Sequence, residues 1–198
     1  MKKNLIYFIG LIFLMAACYP GENVYYEDTD LTYTSYDESF DFVSKGTYVM
    51  PDKIVKVTGN IQEGENPEFV KEPYNTQILN KIESNMTALG WKKIDDPETA
   101  DLALFPAAWS NTTVYYYYDY WCWYYPYYCG WGWYGGGSYS SYTTGTLVMG
   151  LIAKDGYVDP TDVWRSAING LLSGAYDVTR VNNAIDQAFK QSPYLNTK

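Results

Sequence analysis

The sequence predicts a single α+β domain in which two amphipathic helices pack on one face of an antiparallel sheet, giving two layers with a long aromatic hairpin loop. Three observations predict this fold class. Two apolar strand segments, 100–105 and 145–152, flank a run of tyrosine, tryptophan and glycine. Two other segments repeat apolar residues at helical spacing. The length of 198 residues, less a leader, suits one ordinary domain.

The chain begins with the pattern of a signal peptide. Lys2 and Lys3 are followed by an uncharged apolar core at 5–15, which is shorter than the roughly 20 residues that span a bilayer. Small residues then precede Cys18, an arrangement that resembles the lipobox of bacterial lipoproteins. We expect cleavage before Cys18 and lipidation of that cysteine, with palmitate among its acyl chains. The alternative is an ordinary cleavage site followed by a chance cysteine.

Lipid on Cys18 would anchor the mature chain without a spanning helix, because each buried methylene contributes roughly 0.8 kcal/mol. Tyr19 stands where lipoproteins retained at the inner membrane carry Asp under the familiar sorting rule. We therefore expect a lipid-anchored protein of the bacterial outer membrane that faces the periplasm or the cell surface. The predicted organisation is a signal peptide at 1–17, a lipidated N-terminus and tether at 18–41, and a domain at 42–195 whose aromatic loop spans 114–144.

Composition argues against several functions. A formal net charge of -9 disfavours nucleic acid as a partner, because affinity for phosphates depends on Lys and Arg. The chain has no histidine, which removes Ser-His-Asp and Cys-His nucleophiles and the commonest metal ligand. We expect no enzymatic activity, no metal and no cofactor.

The first half of the domain contains short strands and one helix. Leu31 to Tyr33 is a candidate edge strand, and the strand at 46–50 is stopped by Pro51 and continued at 54–57. An acidic loop at 59–73 follows. A helix then starts near Asn75 or Thr76, either of which can cap it, and ends at Gly90. Its apolar stripe contains Ile78, Leu79, Ile82, Met86 and Leu89.

The second half returns to the sheet and ends in a helix. Asp155-Gly156 favours a hairpin turn after the strand at 145–153. The returning strand, 163–171, places Trp164 and Arg165 on opposite faces. Asp177 is the expected N-cap of the last helix, which ends at Ser192-Pro193. The stripe of that helix contains Val178, Val181, Ile185, Ala188 and Phe189.

The order of these segments resembles the DUF4136 family of bacterial envelope lipoproteins of unknown function. The matching stretches are Cys18, DFVSKGTYVMPD (41–52), LGW before ADLALF, GTLVMGLIAKDG, VWRSAING and the final helix ending near Pro193. The resemblance implies a small α+β lipoprotein and no catalytic residues. This chain differs by its insertion at 59–73 and by the length of its aromatic loop.

The aromatic loop has two interpretations. It can be a hairpin extension that only connects two strands, or a contact surface built from large rigid side chains with polar tips. A contact surface would fit a glycan, the membrane interface or an envelope protein. The side chains expected to make contact are Trp121, Trp123, Tyr124, Trp131, Trp133 and Tyr134.

Two further hypotheses concern cysteines and carboxylates. Cys122 and Cys129 would reach an oxidising compartment, where they can close a small disulfide loop; a metal site is the less favoured alternative because further ligands are lacking. A hydrolase using Asp41, Asp95 and Asp101 is the weak alternative to a binding module, since no spacing relates the three carboxylates. A purely structural envelope component is the third possibility.

Overall fold

A computed structural model of the chain describes residues 31–57, 68–109, 145–153 and 162–198. In these ranges eight strands form one mixed sheet with two α-helices, so the predicted α+β class is confirmed. Short 3-10 helices lie at Phe42–Ser44 and Pro193–Leu195. The longer elements are β1 (Thr32–Tyr36), β2 (Thr47–Val49), β3 (Val55–Val57), β4 (Glu68–Phe69), α1 (Tyr74–Ala88), β5 (Lys92–Lys93), β6 (Leu102–Trp109), β7 (Thr146–Ala153), β8 (Asp162–Ile168) and α2 (Val178–Lys190).

The antiparallel pair β6 and β7 forms the centre of the sheet. Its register runs from Leu102 opposite Ala153 to Trp109 opposite Thr146, and every residue of β6 is buried. β8 and then β1 continue the sheet in antiparallel order. A strand that is buried on both faces needs apolar residues at consecutive positions. This requirement explains the apolar runs in the sequence.

The prediction of a wholly antiparallel sheet is wrong. β2 and β3 both run parallel to β6, and β5 runs parallel to β2. The physical reason is the connection: α1 lies in the chain between β2–β3 and β5–β6, and a helical crossover brings the next strand back in the same direction. Short apolar segments show that a strand forms, but they do not show its direction.

The predicted interruption at Pro51 is confirmed. β2 pairs with β6 at Leu102 and Ala103, whereas β3 pairs with it again from Ala107 to Trp109. β6 is longer than the sequence predicted and passes through Pro106, which lies opposite Met149 of β7. On its other edge Pro106 faces the gap between β2 and β3, where no strand is present to accept a hydrogen bond. This position suits a residue that has no N–H.

The predicted cap of α1 is wrong. The N-cap is Pro73, and the backbone N–H of Thr76 donates to the Glu72 carboxylate at 3.2 Å instead. Asn75 is buried inside the first turn, where its side chain bonds to the chain before β3. The predicted C-terminal glycine is confirmed, since Gly90 has φ of 101°.

The predicted cap and most of the stripe of α2 are confirmed. The Asp177 carboxylate accepts hydrogen bonds from the backbone N–H groups of Thr179 and Arg180 at 2.7 and 3.0 Å. Four of the five predicted stripe residues are buried, whereas Val178 is 44% exposed. Val178 is the first residue of the helix, so it extends past the edge of the packed surface.

Both helices pack on the same face of the sheet. Apolar residues of α1 and α2, such as Ile82 and Ile185, form one buried cluster with Leu104 and Met149. The opposite face has a separate buried cluster that includes Phe105 and Val148. Among the described residues, no helix is long and apolar enough to cross a membrane.

The sheet begins before the predicted domain boundary at residue 42. β1, at Thr32–Tyr36, falls in the predicted tether but pairs with β8 along its whole length. Alternating Thr and Tyr suit an edge strand, which explains why this polar segment joins the sheet. Several predictions lie outside the described residues: the leader with Cys18, the Asp155-Gly156 turn, most of the insertion, the aromatic contact residues, and Cys122 with Cys129.

Candidate functional site

The aromatic loop begins and ends at one end of the central strand pair. β6 ends at Trp109, and the chain is described again from Gly145, whose N–H donates to the Trp109 carbonyl at 2.7 Å. The two described residues that flank 110–144 in the chain therefore lie next to each other. The predicted contact residues all lie between these two points, outside the described ranges.

A groove of about 760 Å³ lies at this end of the strand pair. Its described residues come from the ends of β6 and β7, from the β3–β4 pair with the segment before α1, and from the loop between β8 and α2. Its apolar wall includes Trp109 and Val70. The lining residues are Lys56, Glu68, Val70, Lys71, Tyr74, Ala108, Trp109, Gly145, Leu172, Ser173, Gly174 and Tyr176.

Hydrogen bonds fix the wall that is formed by the loop after β8. The Leu172 N–H donates to the Gly145 carbonyl at 2.8 Å, and the Arg180 guanidinium donates to the Gly170 carbonyl at 2.9 Å. Gly145 has φ of 82°, and a Cβ at this position would lie 2.8 Å from the backbone nitrogen of Ser173. Only glycine fits such a contact without a shift of the loop. These contacts hold the loop after β8 against the start of β7, so this wall of the groove has a fixed position in the fold.

Two tyrosines form an aromatic platform in the groove. The rings of Tyr74 and Tyr176 have centroids 4.0 Å apart and are inclined at 32°. Tyr74 is 40% exposed, whereas the hydroxyl of Tyr176 is buried and has no hydrogen-bond partner among the described residues. Burial raises the pKa of Tyr176, and the nearby Tyr74 raises it further. The hydroxyl therefore stays protonated at neutral pH and keeps its capacity to donate.

Charged side chains lie along the β3–β4 side of the groove. The Lys56 ammonium and the Glu68 carboxylate are 3.5 Å apart, and both side chains remain partly exposed. The Lys71 side chain is exposed and forms no ion pair with any residue in the described ranges. In the described part of the chain, the groove thus combines the tyrosine rings with the ammonium groups of Lys56 and Lys71 and the carboxylate of Glu68.

The three carboxylates of the hydrolase hypothesis do not line this groove. The Asp101 carboxylate accepts hydrogen bonds from Gly46 N–H and Thr47 N–H at 3.0 and 2.8 Å, which joins β2 to the start of β6. Asp41 accepts from the Ser44 N–H at 3.3 Å and caps a 3-10 helix, and Asp95 is exposed in a turn. Across the described part of the chain, no group of three or more acidic or cysteine side chains could hold a metal ion.

Sequence reasoning did not identify the groove. Its residues come from segments that are far apart in the chain, and none has a distinctive spacing. Tyr74 is the first residue of α1, and Tyr176 directly precedes the N-cap of α2. A single tyrosine at such a position does not indicate a binding site. Only the docking of α1 beside the loop after β8 brings the two rings together.

Fold and groove define the class of protein: an α+β domain with a mixed sheet, helices on one face, and a groove at the base of an inserted loop. A family model, described as a domain of unknown function (DUF4136), matches residues 32–194. The chain belongs to the DUF4136 family, which confirms the resemblance seen in the sequence.

Solved structures with similar folds include a DUF4136 family protein from Bacteroides thetaiotaomicron. That protein is 28% identical with a TM-score of 0.62, and the match covers 85% of this chain and 98% of that one. A second similar structure is the PelC dodecamer from Paraburkholderia phytofirmans, at 9% identity and a TM-score of 0.43, with the same coverage of 85% and 98%. A comparison with curated proteins found no match.

Proposed function

We propose that this protein is a lipid-anchored lipoprotein of the bacterial outer membrane that acts as a binding module rather than as an enzyme. Its contact surface would be the aromatic loop together with the groove at its base. One observation carries the proposal: Trp109 and Gly145, from which the loop departs and to which it returns, themselves line the groove. A ligand in the groove would therefore lie next to the start of the loop.

The anchor is supported by the leader pattern and by the position of Cys18. Residues 19–31 remain between this cysteine and β1, a length that spans at most about 45 Å when extended. Such a tether lets the domain reach ligands near the membrane surface. Mass spectrometry of the mature protein tests this part. We expect an N-terminal Cys18 bearing acyl chains, and a retained leader or an unmodified terminus would contradict it.

The binding role is tested by replacing Trp121, Trp123, Trp131 and Trp133 with Ala in the full-length, processed lipoprotein. The variant should lose most of its retention on immobilised envelope material, because tryptophans supply large rigid contact area. Retention is measured by pull-down from detergent against separate glycan, lipid and protein fractions. The far-UV circular dichroism spectrum should be unchanged, since the described strands and helices are formed by other parts of the chain.

The matched control replaces Tyr33, Tyr36 and Val43, which are exposed apolar residues of the domain surface. That variant should keep full retention. If the tryptophan variant is retained as well as the wild type, the loop is only a connector and the protein is better described as a structural envelope component.

A further inference from the structure

We propose that the groove at the base of the aromatic loop binds a segment of a glycan that carries carboxylate groups, such as a uronic acid polymer. The ligand class rests on the binding role proposed above, but the residues that would select it are different. They are Tyr74, Tyr176, Lys71 and the Lys56–Glu68 pair, all within the described ranges.

The tyrosine pair provides the surface for a sugar ring. A pyranose presents C–H groups on its faces, and these pack against the π face of an aromatic ring. Tyr74 is exposed, and its ring is supported from behind by Tyr176, with 4.0 Å between centroids. The supported ring loses little freedom when a ligand packs on it, which favours binding.

Hydrogen bonding in the groove suits sugar hydroxyls. The buried hydroxyl of Tyr176 has no partner among the described residues, and buried polar groups of this kind normally have one. Because this hydroxyl is shielded from solvent, Tyr176 contributes to the groove through its ring, which packs against Tyr74. Beside the platform, the Glu68 carboxylate can accept from a sugar hydroxyl and the Lys56 ammonium can donate to one.

The charges of the groove favour an acidic glycan over a neutral one. Among the described lining residues, Lys56 and Lys71 outnumber the carboxylate of Glu68, whereas the whole chain has a formal net charge of -9. An anionic ligand is therefore repelled by most of the protein and attracted to this groove. Lys71 has no ion pair with a described carboxylate to break before it binds the ligand. The volume of about 760 Å³ lies within the range of small-molecule sites and holds a short oligosaccharide.

The test uses the processed lipoprotein in neutral detergent, with trigalacturonate as the acidic probe and its methyl ester as the neutral probe. The two probes share the sugar ring and the chain length, and they differ in the charge of the carboxylate and in the small methyl groups of the ester. Titration calorimetry should show saturable binding of trigalacturonate that weakens with added salt, and binding of the ester at least about tenfold weaker. Equal affinity for both probes would overturn the requirement for a carboxylate.

Two pairs of variants locate the site. Tyr74→Ala and Lys71→Gln should each weaken trigalacturonate binding about tenfold. The first variant removes the ring on which the sugar packs, and the second removes the Lys71 ammonium that would bind the carboxylate. Tyr33→Ala on β1 and Lys92→Gln on β5 change exposed side chains away from the groove and should bind as the wild type does. If the groove variants bind normally, or if the control variants are equally impaired, the groove is not the site.

Anionic phospholipid is the other source of negative charge in a membrane. In one outcome, phosphatidylglycerol vesicles bind the wild type and the control variants but not the groove variants, while trigalacturonate gives no heat of binding. That outcome would replace the glycan by a lipid headgroup and overturn the proposal. The broader function is tested separately. A four-tryptophan variant that loses envelope retention, combined with no binding of trigalacturonate by the wild type, would refute the ligand class and leave the binding role intact.

Discussion

At the scale of single residues, Asp101 joins two parts of the chain that are 54 positions apart. Its carboxylate receives the N–H groups of Gly46 and Thr47 and the Thr47 hydroxyl, at 3.0, 2.8 and 2.7 Å. Burial on its own raises the pKa of Asp101, but hydrogen bonds from Thr47 and Gly46, with the charge of Lys45, lower it overall below the usual 3.8. The ionised carboxylate therefore stabilises the junction of β2 and β6.

The lowered pKa predicts how Asp101 contributes to stability at different pH. The contribution is fully present above the unfolded-state pKa and is lost as pH falls through the lower folded-state pKa. We expect Asp101→Asn to reduce the free energy of unfolding by about 1–2 kcal/mol at neutral pH, since hydrogen bonds to a charged acceptor contribute about 1.5–3 kcal/mol and the amide retains one acceptor. Urea denaturation measures this difference.

Below about pH 3.8 the difference between wild type and Asp101→Asn should shrink, because Asp101 takes up a proton in the unfolded chain first, and the charge contribution is gone once the native carboxylate is protonated at lower pH. Asp95→Asn, in an exposed turn, is the control and should change the free energy of unfolding little at neutral pH. A difference that stays constant into strong acid would show that the charge of Asp101 is not involved.

At the scale of elements, α1 is attached to the sheet through its first turn. The buried side chain of Asn75 accepts from the Ile54 N–H at 2.8 Å and donates to the Asp52 carbonyl at 2.9 Å. Both partners lie in the break between β2 and β3. Asn75 thus satisfies backbone groups that the interrupted strand leaves without partners.

Replacing Asn75 should be costly for that reason. We expect Asn75→Ala to lower the free energy of unfolding by about 2–3 kcal/mol, because the buried Ile54 N–H loses its partner and cannot reach water. Asn80→Ala changes an exposed residue of the same helix and should cost little. Equal losses in the two variants, measured by urea denaturation, would show that helix propensity rather than the buried contact matters.

At the scale of the whole molecule, the last described segment closes the core through contacts with residues 104 and 28 positions earlier in the chain. The indole of the buried Trp91 donates to the Leu195 carbonyl at 2.8 Å, and the indole of Trp164 donates to the Ser192 hydroxyl at 2.9 Å. Leu195 itself is fully buried in the helix-side cluster. Sheet, α1 and the C-terminal segment therefore form one cooperative unit.

This closure predicts a large effect from a small change near the end of the chain. We expect Leu195→Ala to lower the free energy of unfolding by about 2–5 kcal/mol, the usual range for removing a buried leucine. Thermal unfolding should remain one transition with a lower midpoint. Val43→Ala, at a residue that is 70% exposed, is the control. A separate early transition in the Leu195 variant would show that the C-terminal segment unfolds independently.

Much of the fold was predictable because periodicity reports burial directly. The stripe from Ile78 to Met86 faces the core as its helical spacing predicted, and the cap at Asp177 was correct because an acidic residue before an apolar stripe has one favourable role. The predicted cap of α1 was wrong because Asn75 has a suitable side chain for capping, but backbone groups of the segment before β3 compete for it. Competition of this kind depends on a contact between distant segments.

By itself the sequence determined the α+β class, the family, both helices and the central strand pair, because hydrophobic pattern and segment order are local properties of the chain. Lipidation of Cys18 and the contacts of the aromatic loop remain predictions from the same source. Only the tertiary structure decided the direction of β2, β3 and β5 and assembled the groove around Tyr74 and Tyr176. Strand direction and groove formation depend on how distant segments dock, and no short stretch of sequence contains that information.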